Sequence, residues 1–176
     1  IVFPIVFALC IANTGVNAEL VNAGKAPTAL INLQMFRYVL LGGAGNTLGL
    51  VLLMCKSKSK HIRSIGRLSV LPGICGINEP IIFGTPIVLN IYLLIPFVLV
   101  PLIIGISSYL LMYMGILPLF SGVMVPWTTP PIISGLLIGG WRVALWQFVM
   151  IVVSFVIYLP FIKKIDTLEL NKENQK

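Results

Sequence analysis

Charged residues are so sparse along this chain that the gaps between them measure its elements. Three uncharged runs have membrane length: Ile1 to Ala18 and Tyr38 to Cys55, 18 residues each, and Val143 to Ile162, 20 residues. A helix rises ~1.5 Å per residue and the hydrocarbon layer is ~30 Å thick, so about 20 apolar residues cross it. Each run therefore predicts a spanning helix. A fourth uncharged region, Pro80 to Trp141, is 62 residues long but holds eight of the twelve prolines, which opposes a reading as plain helices. Within it, Ile87 to Tyr113 is the least interrupted stretch and predicts one long crossing, bent near Pro96 and Pro101. Leu71 to Thr85 and Leu117 to Gly135 are then expected to enter the membrane and turn back. Irregular backbone is tolerated at that depth only where it is buried in protein or lines a wet cavity.

These two pieces share a pattern. Leu71, Pro72, Gly76 and Pro80 form LPxxxGxxxP, which recurs 46 residues later as Leu117, Pro118, Gly122 and Pro126. Paired Gly/Pro-interrupted apolar segments are a pointer to a transporter's binding site. One crossing separates the copies, so they should enter from opposite faces and meet near the middle. The fold class expected is an all-α integral membrane protein, with spanning helices plus re-entrant Pro/Gly-rich hairpins of a transporter's transport domain.

Composition supports the bilayer and excludes most alternatives. Of the 176 residues, 58% are apolar and only 10% charged, less than half the usual charged share. A water-soluble globule would lack polar surface. The net charge of +7 lies in short clusters rather than on a continuous basic face, so it argues topology and not nucleic acid. Lys56, Lys58, Lys60, Arg63 and Arg67 crowd one loop, and Lys163, Lys164, Lys172 and Lys176 the tail, leaving only Lys25, Arg37 and Arg142 elsewhere. The positive-inside rule puts loop and tail in the cytoplasm, with an even number of crossings between them. Residues 1–165 are thus expected to form a membrane transport domain and 166–176 a polar cytoplasmic tail. Ile1 opens directly into an apolar run, which reads as the C-terminal part of a larger domain.

Candidate chemistry is confined to a few positions. Glu79, the only acidic residue between Glu19 and Asp166, sits in Ile77-Asn78-Glu79-Pro80 with apolar sequence on both sides. An ionisable group in such a setting marks a substrate pathway, a proton relay or a partner. The structural alternative is a helix cap, with Asn78 or Glu79 accepting N–H groups where Pro80 starts a helix. A carboxylate there can also accept hydrogen bonds from a neutral polyol. Trp127 follows the second copy, in Val125-Pro126-Trp127-Thr128-Thr129-Pro130-Pro131. Its ring can pack on the C–H face of a sugar, or it can be an interfacial anchor like Trp141 and Trp146 beside Arg142. Leu41-Gly42-Gly43-Ala44-Gly45-Asn46-Thr47-Leu48-Gly49 lacks the basic residue of a P-loop; Gly45 and Gly49 allow close helix approach and Asn46 with Thr47 adds polar groups, so the block fits either close packing alone or a direct ligand contact. His61 lies among Lys and Arg and reads as a solvated loop residue. Cys10, Cys55 and Cys75 form no CxxC pair, so packing is expected rather than a disulfide or zinc site. No metal constellation, cofactor motif or nucleophile–base pair is visible, which weighs against a self-contained enzyme.

The blocks Gly42–Gly49, Gly76-Ile77-Asn78-Glu79-Pro80-Ile81-Ile82-Phe83-Gly84-Thr85-Pro86 and Val125–Pro131, in this order, resemble the sugar-transporting IIC component of the bacterial phosphoenolpyruvate-dependent phosphotransferase system. The likeness is to its lactose/cellobiose/diacetylchitobiose family and runs from about Leu33 to Asp166. The resemblance implies a multi-pass permease subunit of the bacterial cell membrane that binds a β-linked disaccharide from outside and carries it across. A phosphorylated cysteine on a separate IIB component then phosphorylates the sugar, so this chain itself is not the enzyme. It further implies that Glu79 hydrogen-bonds sugar hydroxyls and that Trp127 packs on the sugar, beside Thr128. Asn78 and the turn from Gly43 to Asn46 would be supporting groups. The family's additional N-terminal helices, used largely for dimer formation, and a site histidine lie upstream of the region covered, so a homodimer is expected of the full-length protein. Ala44 stands where the family leads one to expect serine. Two rivals follow from Glu79 alone: a proton-coupled sugar carrier that protonates it, and an intramembrane enzyme using it as general acid or base, which needs a second catalytic group.

Overall fold

The computed structural model describes residues 2–85 and 87–174; Ile1, Pro86 and the last two residues, Lys176 among them, lie outside the described residues. Among the described residues eight α-helices and two single 3-10 turns follow one another: α1 Val2–Asn22, a turn at Leu33–Met35, α2 Phe36–Val39, α3 Leu48–Met54, α4 Lys60–Ile74, α5 Glu79–Gly84, a turn at Ile87–Leu89, α6 Ile91–Tyr113, α7 Ile133–Gly139 and α8 Trp141–Asn174. Among the described residues there is no strand.

Among the described residues three helices, α1, α6 and α8, are long and apolar enough to cross a membrane. Their outward residues, such as Leu9, Leu102, Ile106, Leu145 and Val156, are large, apolar and exposed. A patch of this size is a liability in water and ordinary against lipid or other membrane helices. Pro96 and Pro101 fall inside α6 without ending it. The second expected span is corrected by the structure. Tyr38 to Cys55 is not one helix but α2 and α3 separated by a turn in which Gly42, Gly43, Gly45 and Asn46 all have positive φ. That backbone cannot continue a right-handed helix.

α3 sits at the centre. Leu50, Val51 and Met54 are fully enclosed, and the helix packs against both α4 and α8. Close approach to α8 depends on Gly49, where an added Cβ would lie 2.5 Å from the Phe155 backbone nitrogen. α6 and α8 run antiparallel: Lys164 lies 4.2 Å from the Tyr92 ring at one end, and Trp146 Nε1 donates to Ser108 Oγ at 2.9 Å toward the other. Trp146 therefore joins two helices instead of serving only as an interfacial anchor, whereas Trp141 is exposed beside Arg142.

The basic loop and the tail share one end of the molecule. α8 continues unbroken past Ile165 to Asn174. Its Asp166 carboxylate accepts from Ser57 Oγ and from the backbone N–H groups of Lys58 and Ser59 at 2.9 and 2.8 Å. Glu173 accepts from Ser59 Oγ at 2.6 Å and the His61 N–H at 3.2 Å. His61 is exposed at the start of α4, as a solvated residue should be. This clasp holds the 57–61 loop against the C-terminal part of α8.

Candidate functional site

The first LPxxxGxxxP segment is a helical hairpin. α4 runs through Pro72 to Ile74, and just beyond it the φ of +79° at Gly76 allows Gly76 N–H to donate to Gly73 O at 3.1 Å and Ile77 N–H to Pro72 O at 2.9 Å. Such a pair of bonds satisfies the last carbonyls of a helix, and glycine is the residue that takes the left-handed position at no steric cost. Pro80 then starts α5, with Glu79 in its first turn.

The capping alternative for Asn78 resolves in an unexpected way. Asn78 occupies the N-cap position of α5, but its side chain makes no capping bond. It is buried and donates Nδ2–H to the Ala44 carbonyl at 2.6 Å. Gly43 lies directly beneath: a Cβ there would sit 2.5 Å from Asn78 Cγ, on a backbone with φ +94°. The glycine turn is fixed from the other side by α8, where Ser154 Oγ donates to Asn46 O at 2.7 Å and Tyr158 Oη to Gly45 O at 2.8 Å. Asn46 and Thr47 are fully buried and donate to Tyr38 O at 3.1 Å and Gly42 O at 2.6 Å. Gly43, Asn46 and Asn78 thus form a brace behind α5. Glu79 itself is exposed, and among the described residues no hydrogen bond to its carboxylate is formed.

The second segment is an extended strap between α6 and α7. Its carbonyls are collected by three side chains that precede it by about 90 to 100 positions. Asn17 on α1 donates to Phe120 O at 3.0 Å, Gln34 to Val123 O at 3.1 Å, and the Arg37 guanidinium to Val125 O, Pro126 O and, at 3.0 Å, Trp127 O. Thr129 N–H returns to Pro126 O at 3.0 Å, closing a tight turn with Trp127 and Thr128 at its two central positions. Both are exposed. The Arg37 guanidinium carbon lies 5.9 Å from the centre of the Trp127 ring, at the outer edge of cation–π range.

The two segments meet. A Cβ on Gly76 would lie 3.6 Å from the Trp127 carbonyl oxygen, and Gly76, Gly42, Arg37, Trp127 and Thr129 line one cleft. Its free volume is only about 20 Å³, room for roughly one water molecule at the ~10–15 Å³ each needs. A disaccharide has no place inside the seam; Trp127, which lines it, is exposed, as are Thr128 and Glu79, which stand one and three positions along the chain from the lining residues Thr129 and Gly76. The approach is from opposite ends, as the pattern leads one to expect: α4 begins at the clasp, and the strap begins where α6 ends, beside Trp141 and Arg142.

Sequence reasoning passed over Arg37, Asn17, Gln34 and Gln147. Gln147 is fully buried on α8; its Oε1 accepts from the N–H groups of Ile132 and Gly135 at 2.7 and 3.1 Å, and its Nε2 donates to Arg37 O at 3.3 Å. The available signal was an ionisable or amide side chain in an otherwise apolar run, the same signal that picked out Glu79.

The sequence model of the family described as "Phosphotransferase system, EIIC" matches residues 1–101. The chain is 44% identical over 156 residues to the lichenan permease IIC component of Bacillus subtilis (strain 168), covering 86% of this chain and 34% of that protein. It is 41% identical over 181 residues to the lactose-specific EIICB component of Staphylococcus aureus (strain N315), covering 98% and 31%. Among solved structures it is similar to the transporter ChbC, the IIC component from the N,N'-diacetylchitobiose-specific phosphotransferase system, with a TM-score of 0.89, 40% identity, and coverage of 93% of this chain and 39% of that one. The chain spans about a third of the length of the curated relatives it matches.

Proposed function

The chain belongs to the EIIC family of the phosphotransferase system, and from that premise we propose that it forms the sugar-handling part of a permease for a β-linked disaccharide. Relatives carry names that refer to lichenan, oligo-β-mannoside, lactose and N,N'-diacetylchitobiose, which supports this substrate class. The relative named a lactose-specific EIICB component supports a IIB component as the phosphorylating partner. The full-length protein is proposed to sit in the bacterial cell membrane as a homodimer, with the clasp and C-terminus in the cytoplasm. Residues 1–165 are its transport domain in this reading, and 166–176 its polar tail. Family membership disfavours both the proton-coupled carrier and the intramembrane enzyme.

The observation that carries the site is the meeting of Gly76 with Trp127, which sets two segments of different chemistry against one rim. Glu79, exposed at the start of α5, accepts sugar hydroxyls as a charged acceptor. Trp127, presented by its turn, covers an apolar ring face, with Thr128 beside it as a hydroxyl partner. Asn78, Gly43 and Asn46 support Glu79 from behind by fixing the start of α5 against α8.

The test is Glu79→Gln in the full-length protein. The amide keeps the size and loses the charge, and hydrogen bonds to a charged group contribute about 1.5–3 kcal/mol, so disaccharide affinity should fall roughly 10- to 150-fold while the melting temperature stays within a few degrees. Unchanged affinity in a radiolabelled-sugar assay removes Glu79 from the site. A substrate-bound structure should place the Glu79 and Trp127 side chains within about 10 Å, the reach of a disaccharide.

A further inference from the structure

We propose that Arg37 is a positioning residue for Trp127: its guanidinium holds the turn that presents the indole, so that sugar packing depends on Arg37 without any contact between Arg37 and the sugar. The inference rests on the reading of Trp127 as a sugar contact.

Arg37 has the donors and the geometry for this task. Three consecutive carbonyls, those of Val125, Pro126 and Trp127, converge on its guanidinium. A planar fork with five N–H donors can address them together, which an ammonium or an amide cannot do as well. The strap has little else to hold it there. Pro126, Pro130 and Pro131 lack N–H groups, and Thr129 N–H supplies the turn's single closing bond.

No ion pair competes for the charge: among the described residues the only salt bridge is Lys172–Glu169. Arg37 is itself braced, because its carbonyl accepts from Gln147 Nε2 at 3.3 Å and Gln147 is fully enclosed on α8. The chain of contacts therefore runs α8, Gln147, Arg37, the 125–127 carbonyls, Trp127. The ring lies 5.9 Å from the guanidinium carbon, so the side chain adds a weak attraction from the same direction. A ring whose backbone is held at each of three neighbouring carbonyls is preorganised, and small displacements of a preorganised contact weaken binding strongly.

The experiment uses the full-length protein and a two-by-two set: wild type, Arg37→Gln, Trp127→Ala and the double variant, each assayed for equilibrium disaccharide binding. Arg37→Gln should weaken binding roughly tenfold or more, and it should do nothing further in the Trp127→Ala background. Additive losses would mean that Arg37 acts independently of Trp127 and would overturn the proposal. So would full affinity in Arg37→Gln alongside a loss in Trp127→Ala. If Trp127→Ala leaves affinity intact, the sugar-contact reading fails and a second readout decides the positioning claim. In a cysteine-free background, a nitroxide on Thr128→Cys should report a sharply more mobile turn in Arg37→Gln and a partly restored one in Arg37→Lys. A nitroxide on Tyr113→Cys, at the exposed end of α6, should show no change. Unaltered mobility at position 128 rejects the proposal whatever the sugar does.

Discussion

The hairpin at Leu71–Pro80 and the strap at Leu117–Pro126 carry the same LPxxxGxxxP spacing and solve the same problem, the polar backbone of a non-spanning segment, in opposite ways. The hairpin satisfies itself. α4 reaches Ile74, Gly76 closes its end with two backbone bonds, and Pro80 opens α5. The strap has no regular element of its own and gives its carbonyls to Asn17, Gln34 and Arg37. Gly122 takes a positive φ as Gly76 does, but for a different reason: Ala18 of α1 lies so close that a Cβ would fall 2.6 Å from its Cβ. A shared proline and glycine spacing therefore fixes where the chain turns without fixing what pairs its backbone. That is decided by whether a helix already runs into the segment, as α4 does, or has just ended, as α6 has at Tyr113.

The largest effect that would sharpen this contrast is expected from Asn17→Ala. Asn17 is fully buried, donates to Ala29 O at 2.9 Å and Phe120 O at 3.0 Å, and accepts from the N–H groups of Thr28 and Ala29 at 3.1 and 2.9 Å. Each buried group left unpaired costs about 1–3 kcal/mol, so a loss of about 4 kcal/mol is expected after partial relaxation. Hydrogen exchange should accelerate across 119–127 and stay slow across 72–84. Equal acceleration in both segments would dissolve the distinction between them.

The glycines provide a finer comparison. Gly122→Ala should destabilise by about 3 kcal/mol, combining the left-handed backbone with a forced shift of α1. Gly76→Ala should lose only ~1–2 kcal/mol, since nothing nearer than the Trp127 carbonyl, at 3.6 Å, meets its Cβ. Thermal unfolding in detergent reads the order, and a reversed order would mean that the hairpin, not the strap, is the tightly held partner.

The smallest effect is remote from both segments. Asp166→Asn should weaken the clasp by about 1 kcal/mol, because an amide oxygen still accepts from the 57–59 loop but without charge. The expected signature is faster exchange at Ser57 to Ser59 with sugar affinity unchanged.

Much of this architecture was legible from where charge is missing. The crossings α1, α6 and α8 follow uncharged runs because the bilayer permits little else. Tyr38 to Cys55 misled because length alone was counted. Gly42, Gly43 and Gly45 are visible in that run, but only Gly45 and Gly49 enter the reading as close-approach residues; Gly49 lies in α3 against Phe155, whereas Gly45 sits in the turn against the Phe97 ring. Of the candidate site residues, Glu79, Trp127 and Thr128 are exposed and Trp127 lines the seam, while Gly43, Asn46 and Asn78 are brace residues in contact with one another's segments. Arg37 was counted only as one of three basic residues outside the clusters. Its partners are carbonyls about 90 positions away, and no local pattern announces such a pairing.

The unbroken length of α8 also makes it a depth gauge. At ~1.5 Å per residue, Gln147, which braces the Trp127 turn through Arg37, stands roughly 28 Å along the helix from Asp166 at the clasp, close to a full hydrocarbon thickness. Ser154, which anchors the turn beneath Asn78, stands only about 18 Å from it. Along α8, the contact that reaches the Trp127 turn through Arg37 and the contact that reaches the glycine turn are therefore about 10 Å apart. In the site proposed above, the aromatic wall is therefore the one held farther from the clasp, and the acidic wall the one held nearer to it.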